Sequence, residues 1–258
     1  SAFCGPAMLN FMLQGPNFEK FDRSPLRWMM TGAAPVPPAL TKQYSDMGVE
    51  LLQVYGLTET CGPACLMDAK GALIKPESTG KAFFHTEVKI VDSAGATCAA
   101  GEAGEVLVRG EHIMTEYWNR PEATAETIVD GWLHTGDVAT MDEQGFGVIQ
   151  DRIKDMIISG GENVYPAEIE GVLGAHPDIS EAAVIGQESA RWGESPLAIV
   201  VRANESLTES DVLDYCNGKL ARFKQPQAVV FVEQIPRNPS GKILKRVLRE
   251  QFPDAAPT

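Results

Sequence analysis

Apolar and polar positions change their rhythm three times along the chain. Over residues 26–80, short apolar runs are separated by turn residues. Leu26-Arg27-Trp28-Met29-Met30 reads as a buried strand that stops at Thr31-Gly32, and Val49-Glu50-Leu51-Leu52-Gln53-Val54-Tyr55 reads as a second strand. Between them, Pro37 and Pro38 suit the first turn of a helix that the pattern carries through Tyr44. Strand, helix, strand predicts part of a parallel sheet.

The spacing shortens over residues 80–150. Glu87-Val88-Lys89-Ile90-Val91 alternates and stops at the turn Asp92-Ser93-Ala94-Gly95. Glu105-Val106-Leu107-Val108-Arg109 and Gly145-Phe146-Gly147-Val148-Ile149-Gln150 follow as short strands between glycines, which predicts a small antiparallel β unit.

Beyond Arg152 helical and strand patterns mix. Pro166 opens a helix with Ile169, Val172 and Leu173 on one face. Ala182-Ala183-Val184-Ile185, Leu197-Ala198-Ile199-Val200-Val201 and Val229-Val230-Phe231-Val232 read as strands. Thr208 with Asp211 forms a capping box for a helix to about Leu220, and Leu244, Val247 and Leu248 give a last helical face. The predicted class is α/β with α+β. Residues 1–80 are a partial parallel-sheet α/β region, 81–153 a β-rich subdomain of the same large domain, and 154–258 a smaller α+β C-terminal domain, with the boundary near Lys154.

Composition narrows the partners. Hydrophobic residues make up 44% and charged residues 22% of the chain, as in ordinary globular proteins. A net charge of -13 argues against nucleic acid and against an anionic membrane surface as partners. The five cysteines, Cys4, Cys61, Cys65, Cys98 and Cys216, are odd in number and form no disulfide framework, so reduced thiols and a cytoplasmic location are expected. Cys61 and Cys65 lack the second Cys pair or nearby His that a zinc site needs. No apolar stretch approaches the ~20 residues that span a bilayer, and no secretory signal pattern opens the chain. Association into a homo-oligomer stays open.

Four short motifs carry the chemistry: Tyr55-Gly56-Leu57-Thr58-Glu59-Thr60, His134-Thr135-Gly136-Asp137, Asp151-Arg152-Ile153-Lys154-Asp155 and Pro239-Ser240-Gly241-Lys242. Thr58 and Glu59 lie in a Gly-containing turn after a strand, where ligands dock in open α/β sheets. A hydroxyl there can donate to a phosphate and a carboxylate can hold Mg²⁺. The plain alternative is a loop with an N-cap Thr. Asp137 follows Gly136 in a turn, where a carboxylate can accept both hydroxyls of a ribose. Read alone, Thr-Gly-Asp is equally a surface turn, and Asp-Arg a surface ion pair worth little. Lys242 follows a turn that fixes the backbone before a helix. Its ammonium can stabilise developing negative charge, or it is one more solvated cation beside Lys245, Arg246 and Arg249.

In this order, and joined by Ile157-Ile158-Ser159-Gly160-Gly161-Glu162-Asn163-Val164-Tyr165-Pro166, the motifs resemble the adenylate-forming enzymes, and most of all the fatty-acyl-CoA ligases. The resemblance covers nearly the whole chain. It implies an acid–thiol ligase that forms an acyl-AMP from a carboxylic acid and ATP with Mg²⁺, then an acyl-CoA with coenzyme A. It places Tyr55 against adenine, with Gln53 and the Gly32-Ala33-Ala34-Pro35 turn nearby. It assigns Thr58 to phosphate, Glu59 to Mg²⁺, Asp137 and Arg152 to the ribose, and Lys242 to the α-phosphoryl group and the attacking carboxylate. It also makes the C-terminal domain mobile about a hinge at Lys154. Rotation would exchange the Lys242 loop for the Gly160-Gly161 loop beside pantetheine, with Trp192 and Phe223 stacking the CoA adenine.

Val54 departs from the Gly that relatives often carry. Gln225 and Gln227 are polar where some relatives are basic, which leaves the contact to the CoA 3′-phosphate open. Trp192 reads equally as a partly buried core aromatic. No Ser/Thr/Gly-rich phosphate loop occurs, so the chain is expected to be the C-terminal half of such an enzyme, with weak or no turnover by itself. A medium- or long-chain fatty acid is the first reading of the substrate. The alternatives are an aryl acid such as a hydroxycinnamate, a unit that loads a carrier protein, and a nucleotide-binding fragment without activity.

Overall fold

A computed structural model describes residues 1–16, 18–34, 36–238 and 241–253. The chain divides into two compact units, Ser1–Ile149 and Gln150–Thr258.

The first unit opens with a sheet in the order Ala2–Phe3, Trp28–Gly32, Glu50–Tyr55, Cys65–Met67, Lys81–Ala82. Its first three strands are parallel and its last two pairings antiparallel. Parallel neighbours need a crossover, and the helices Pro6–Leu13 and Pro38–Asp46 supply it. Each starts on a proline, whose missing N–H would be unpaired there in any residue. Leu9, Met29, Leu40, Tyr44, Val49 and Leu51 form the core between helices and sheet. The Tyr44 hydroxyl, buried with them, donates to the carbonyl of Leu9 at 2.9 Å.

A second sheet runs in the order Gly147–Arg152, Trp132–Met141, Gly104–Arg109, Glu87–Val91. Glu87–Val91 pairs antiparallel with Gly104–Arg109, and Gly104–Arg109 with Trp132–Met141. Ile90, Val106, Val108, Leu133 and Ala139 fill its buried face with Ala64.

The second unit is a sheet covered on both faces. Its order is Glu162–Val164, Ile157–Ser159, Gly193–Arg202, Ile179–Ser189, with Ala228–Phe231 parallel to Gly193–Arg202. Alternate residues point to opposite faces of a strand. Val184, Ala198 and Val200 therefore face the core that includes Ile169 and Leu173 of helix Pro166–Gly174 and Val212 and Cys216 of helix Glu209–Cys216. Ala183, Ile185, Leu197 and Ile199 face Ala228, Ile235 and Leu248 of helix Lys245–Gln251. Both faces being buried explains why these strands read as unbroken apolar runs.

The expected helix to Leu220 is corrected. The Thr208–Asp211 capping box is present, but the helix ends at Cys216, where Asn217 turns extended and Gly218 takes φ +73°. Leu220 misled the pattern because it is buried in the same core after the chain has left the helix. The helix Pro6–Leu13 was not foreseen. Of its apolar residues only Pro6 and Leu9 are buried, while Met8 and Phe11 are exposed, so no clean stripe marks it.

Candidate functional site

The strands Trp28–Gly32 and Glu50–Tyr55 run side by side in register, with Gly32 opposite Val54, and end at the same edge. Ligands of open α/β sheets dock at such carboxyl ends. A side chain at Gly32 would stand 2.3 Å from the Val54 carbonyl oxygen, so glycine is required for this close pairing. Ala33 then takes φ +67°, a left-handed conformation rare outside glycine, and Ala33 and Ala34 are exposed beyond the strand end. Pro35 lies outside the described residues.

Gln53 and Tyr55 point to one face of their strand. Gln53 is buried, and its side-chain amide donates to Thr41 Oγ1 at 3.2 Å and to the Pro76 carbonyl at 3.3 Å. The bond to Thr41 ties the strand to helix Pro38–Asp46, and the bond to Pro76 ties it to the segment after helix Ala69–Ile74. The Tyr55 hydroxyl donates to Asp137 Oδ2 at 2.7 Å. Burial first, and the Asp137 carboxylate second, push this phenol well above its ordinary value, so it stays a donor.

The loop after Tyr55 is closed by Thr60. Its Oγ1 accepts the Leu57 N–H at 2.9 Å and lies 2.9 Å from the Leu57 carbonyl and 2.6 Å from that of Gly62. Gly56 permits the closure, since a Cβ there would meet the Gly62 oxygen at 2.4 Å. Thr60 is buried, Thr58 exposed and Glu59 half-buried, so the loop presents the hydroxyl and carboxylate at 58 and 59 and spends Thr60 on its own shape.

Two residues outside the motifs hold Glu59. The Tyr117 hydroxyl donates to Glu59 Oε1 at 2.7 Å, and the Met114 N–H donates to the Glu59 carbonyl at 2.8 Å. No residue near Tyr117 in sequence signals this contact, because it is made across 58 positions.

The expected turn at Asp137 is corrected. His134-Thr135-Gly136-Asp137 lies inside the strand Trp132–Met141 as a bulge: His134 opposes Leu107, but Val138 already opposes Glu105. The extra residues are held individually. Thr135 Oγ1 donates to the Val106 carbonyl at 2.8 Å and accepts the Asp137 N–H at 3.1 Å. Glu105 accepts the Gly136 N–H at 3.1 Å and lies 2.8 Å from His134 Nδ1. Gly136 takes φ +68°. A bulge re-aims side chains, and this one turns Asp137 inward to Tyr55.

In the second unit, Asp151 accepts its neighbour Arg152's N–H at 2.8 Å and the Ala167 N–H at 2.9 Å. The second contact places a carboxylate on the first turn of helix Pro166–Gly174, where the helix dipole favours negative charge. Asp151 is thus a capping group, and Arg152 is half-buried at the end of its strand. Lys154 is exposed in the single turn Ile153–Asp155. Next to it, Asp155 is buried and pairs with Arg249 at 2.7 Å.

Gly160 and Gly161, at φ +62° and +87°, form the two-residue turn of the hairpin Ile157–Ser159/Glu162–Val164. Both signs match the turn type that fits the twist of a hairpin. The Gly160 N–H donates to the Trp192 carbonyl at 2.8 Å, and a Cβ on Gly160 would stand 2.9 Å from the Trp192 ring. Trp192 and Gly160 are therefore one structural unit. Phe223 is half-buried against the core below helices Pro166–Gly174 and Glu209–Cys216.

Lys242 is exposed on a tight loop. Its N–H donates to Asn238 Oδ1 at 2.9 Å and its carbonyl accepts the Asn238 N–H at 2.9 Å, with Gly241 at φ +86° between. Arg237 braces the loop, donating to the Gly241 carbonyl at 2.6 Å and to Glu181 at 3.1 Å. The helix starts three residues later, and its cations are engaged: Lys245 with Glu170, Arg246 with Glu250 and Arg249 with Asp155. Lys242 thus belongs to the loop and not to the basic helix. Pro239 and Ser240 lie outside the described residues.

Among the described residues no three His, Cys, Asp or Glu side chains group as a metal cage. A single presented carboxylate at Glu59 suits Mg²⁺ better than zinc, because Mg²⁺ is held by one or two carboxylates with substrate phosphates and water. All five cysteines are free thiols. No described helix is long and apolar enough to cross a membrane.

Residues 1–118 match the family model of the AMP-binding enzymes, and residues 168–242 match that of the AMP-binding enzyme C-terminal domain. The chain is 48% identical over 252 residues to the long-chain-fatty-acid–CoA ligase FadD13 of Mycobacterium tuberculosis, covering 98% of this chain and 50% of the relative. It is 42% identical over 248 residues to a feruloyl-CoA synthase of Amycolatopsis, covering 96% and 50%. The solved o-succinylbenzoate CoA synthetase of Bacillus subtilis, in complex with its acyl-adenylate, superposes with a TM-score of 0.90 at 34% identity, over 100% of this chain and 52% of that one. The chain spans about half the length of the curated relatives it matches. From the strand-end loop at Tyr55 to the exposed lysine loop at Lys242, the chain belongs to the AMP-binding enzyme family.

Proposed function

We propose that this chain is the nucleotide- and thiol-handling part of an AMP-forming acid–CoA ligase. The complete protein would join a carboxylic acid to ATP as an acyl-adenylate, releasing pyrophosphate, and then pass the acyl group to coenzyme A with release of AMP. The observation that carries the reading is the meeting of Tyr55 and Asp137 at 2.7 Å across 82 positions, next to a loop that presents Thr58 and Glu59. Solved relatives with AMP, or with ATP and magnesium, bound add to it.

Each residue has a role in this reading. Tyr55 and the Gly32–Ala34 edge flank the base, with Gln53 bracing the strand beneath. Asp137 accepts the ribose hydroxyls, and Arg152 contributes to the same ribose. Thr58 donates to phosphate and Glu59 holds Mg²⁺, which supplies charge neutralisation on the phosphates. Lys242 places its ammonium on the α-phosphoryl group as charge develops, an effect worth about 3–4 kcal/mol of barrier in a dry site. The second step uses the Gly160-Gly161 turn and Trp192 beside the pantetheine arm and CoA adenine, with Phe223 beside them and Lys154 as the hinge. The domains in this reading are 1–80 with 81–153, and 154–258.

A medium- or long-chain fatty acid is the favoured substrate, supported by the identity to the fatty-acid ligase. An aryl acid is the second reading, supported by the feruloyl-CoA synthase at 42%. ATP–pyrophosphate exchange by the complete protein against a panel of fatty and aryl acids tests both. Exchange with no acid, or thioester formation without AMP release, would overturn the reading.

A further inference from the structure

We propose that Tyr117 is a positioning residue for the carboxylate of Glu59, fixing it so that one oxygen is left to a divalent cation. The proposal rests on the reading of Glu59 as the Mg²⁺ ligand.

The contact is one-sided. Tyr117 donates to Glu59 Oε1 at 2.7 Å, while among the described residues Oε2 accepts no hydrogen bond. A hard cation of this kind takes oxygen ligands, often one carboxylate oxygen at a time. The donor is a neutral phenol. An Arg or Lys in its place would orient Glu59 equally well but would cancel the charge that attracts the cation.

Tyr117 is itself held. Its N–H donates to Thr124 Oγ1 at 3.0 Å, that hydroxyl donates to the Arg120 carbonyl at 2.9 Å, and the Arg120 N–H returns to the Tyr117 carbonyl at 3.1 Å. Met114, three residues earlier, bonds the Glu59 backbone at 2.8 Å. The segment 114–120 therefore grips Glu59 by main chain and side chain together, and ties it to helix Pro121–Thr127.

The test measures binding, without turnover. In the complete protein, Mn²⁺ is titrated in the presence of the α,β-methylene analogue of ATP, and free Mn²⁺ is read by electron paramagnetic resonance. Loss of one orienting hydrogen bond, felt by the cation only through the carboxylate, predicts about 3- to 10-fold weaker Mn²⁺ binding for Tyr117→Phe, with affinity for the analogue in the absence of metal unchanged. Glu59→Gln is expected to lose more, and the double variant no more than Glu59→Gln alone, because the phenol acts through the carboxylate. Undiminished Mn²⁺ binding by Tyr117→Phe, with Glu59→Gln impaired, would overturn the positioning role and leave the Glu59 reading standing. Full additivity in the double variant would also overturn it. Undiminished binding in Glu59→Gln would overturn the metal reading of Glu59 itself.

Discussion

Tyr55 Oη and Asp137 Oδ2 lie 2.7 Å apart, and the bond joins the end of a strand in the first sheet to a bulge in the second. Asp137 is buried, so its carboxylate depends on the donors around it. Tyr55→Phe removes one donor and keeps the ring. We expect a loss of about 1–3 kcal/mol in unfolding free energy, read by urea denaturation of parent and variant. An unchanged midpoint would show that the bond contributes nothing to the unit.

The same phenol predicts an alkaline dependence. Its folded value is raised above the ordinary one of 10.0 by burial and by Asp137. The unfolded chain therefore releases this proton first. The contribution is fully present below about pH 10 and is lost as pH rises through the unfolded value toward the folded one. Stability measured from about pH 8 to 11 should fall more steeply for the parent than for Tyr55→Phe. Parallel curves would contradict it.

Gly136 sits at φ +68° inside the bulge that aims Asp137. Gly136→Ala should cost about 1–2 kcal/mol from the left-handed conformation alone. It should also weaken AMP binding in the complete protein more than Gly145→Ala, a similar substitution at φ +81° in the neighbouring turn. Calorimetric titration with AMP compares the two. Equal AMP affinity would detach the bulge from the nucleotide.

Gly160→Ala sets a methyl group 2.9 Å from the Trp192 ring at a position of φ +62°. The ring or the hairpin must shift. In the complete enzyme we expect thioester formation from supplied acyl-AMP to fall at least about 10-fold, since misplacement of about 1 Å can cost 100-fold, while pyrophosphate exchange changes little. Equal loss in both steps would remove the loop from the thiol half-reaction.

Lys242→Ala should show the opposite split. Loss of an aimed charge predicts a fall of about 100- to 1000-fold in pyrophosphate exchange, with thioester formation from supplied acyl-AMP largely kept. Lys154→Pro should impair the thiol step more than the first, as a hinge locked by proline would. A Lys242→Ala enzyme equally slow in both half-reactions would contradict the division of labour.

The sequence by itself determined the order of the motifs and most of the elements, but not the helix Pro6–Leu13 or the end of a helix at Cys216. Strand, helix and strand over residues 28–55 are written in local apolar runs and in Pro38 at the helix start, and these need only neighbours a few positions away. The family could be read for the same reason, because its motifs are short and contiguous. The tertiary structure alone decided what the motif residues do with their side chains. Gln53 turned out to brace Thr41, Thr60 to lock its own loop, and Asp151 to cap a helix. The bulge at Gly136 appears only when Trp132–Met141 pairs with Gly104–Arg109, since a register is a property of two strands. Tyr117 meets Glu59, and Tyr55 meets Asp137, across 58 and 82 positions. No local pattern records such contacts; they exist once the strands and loops that carry both side chains have packed and fixed their directions.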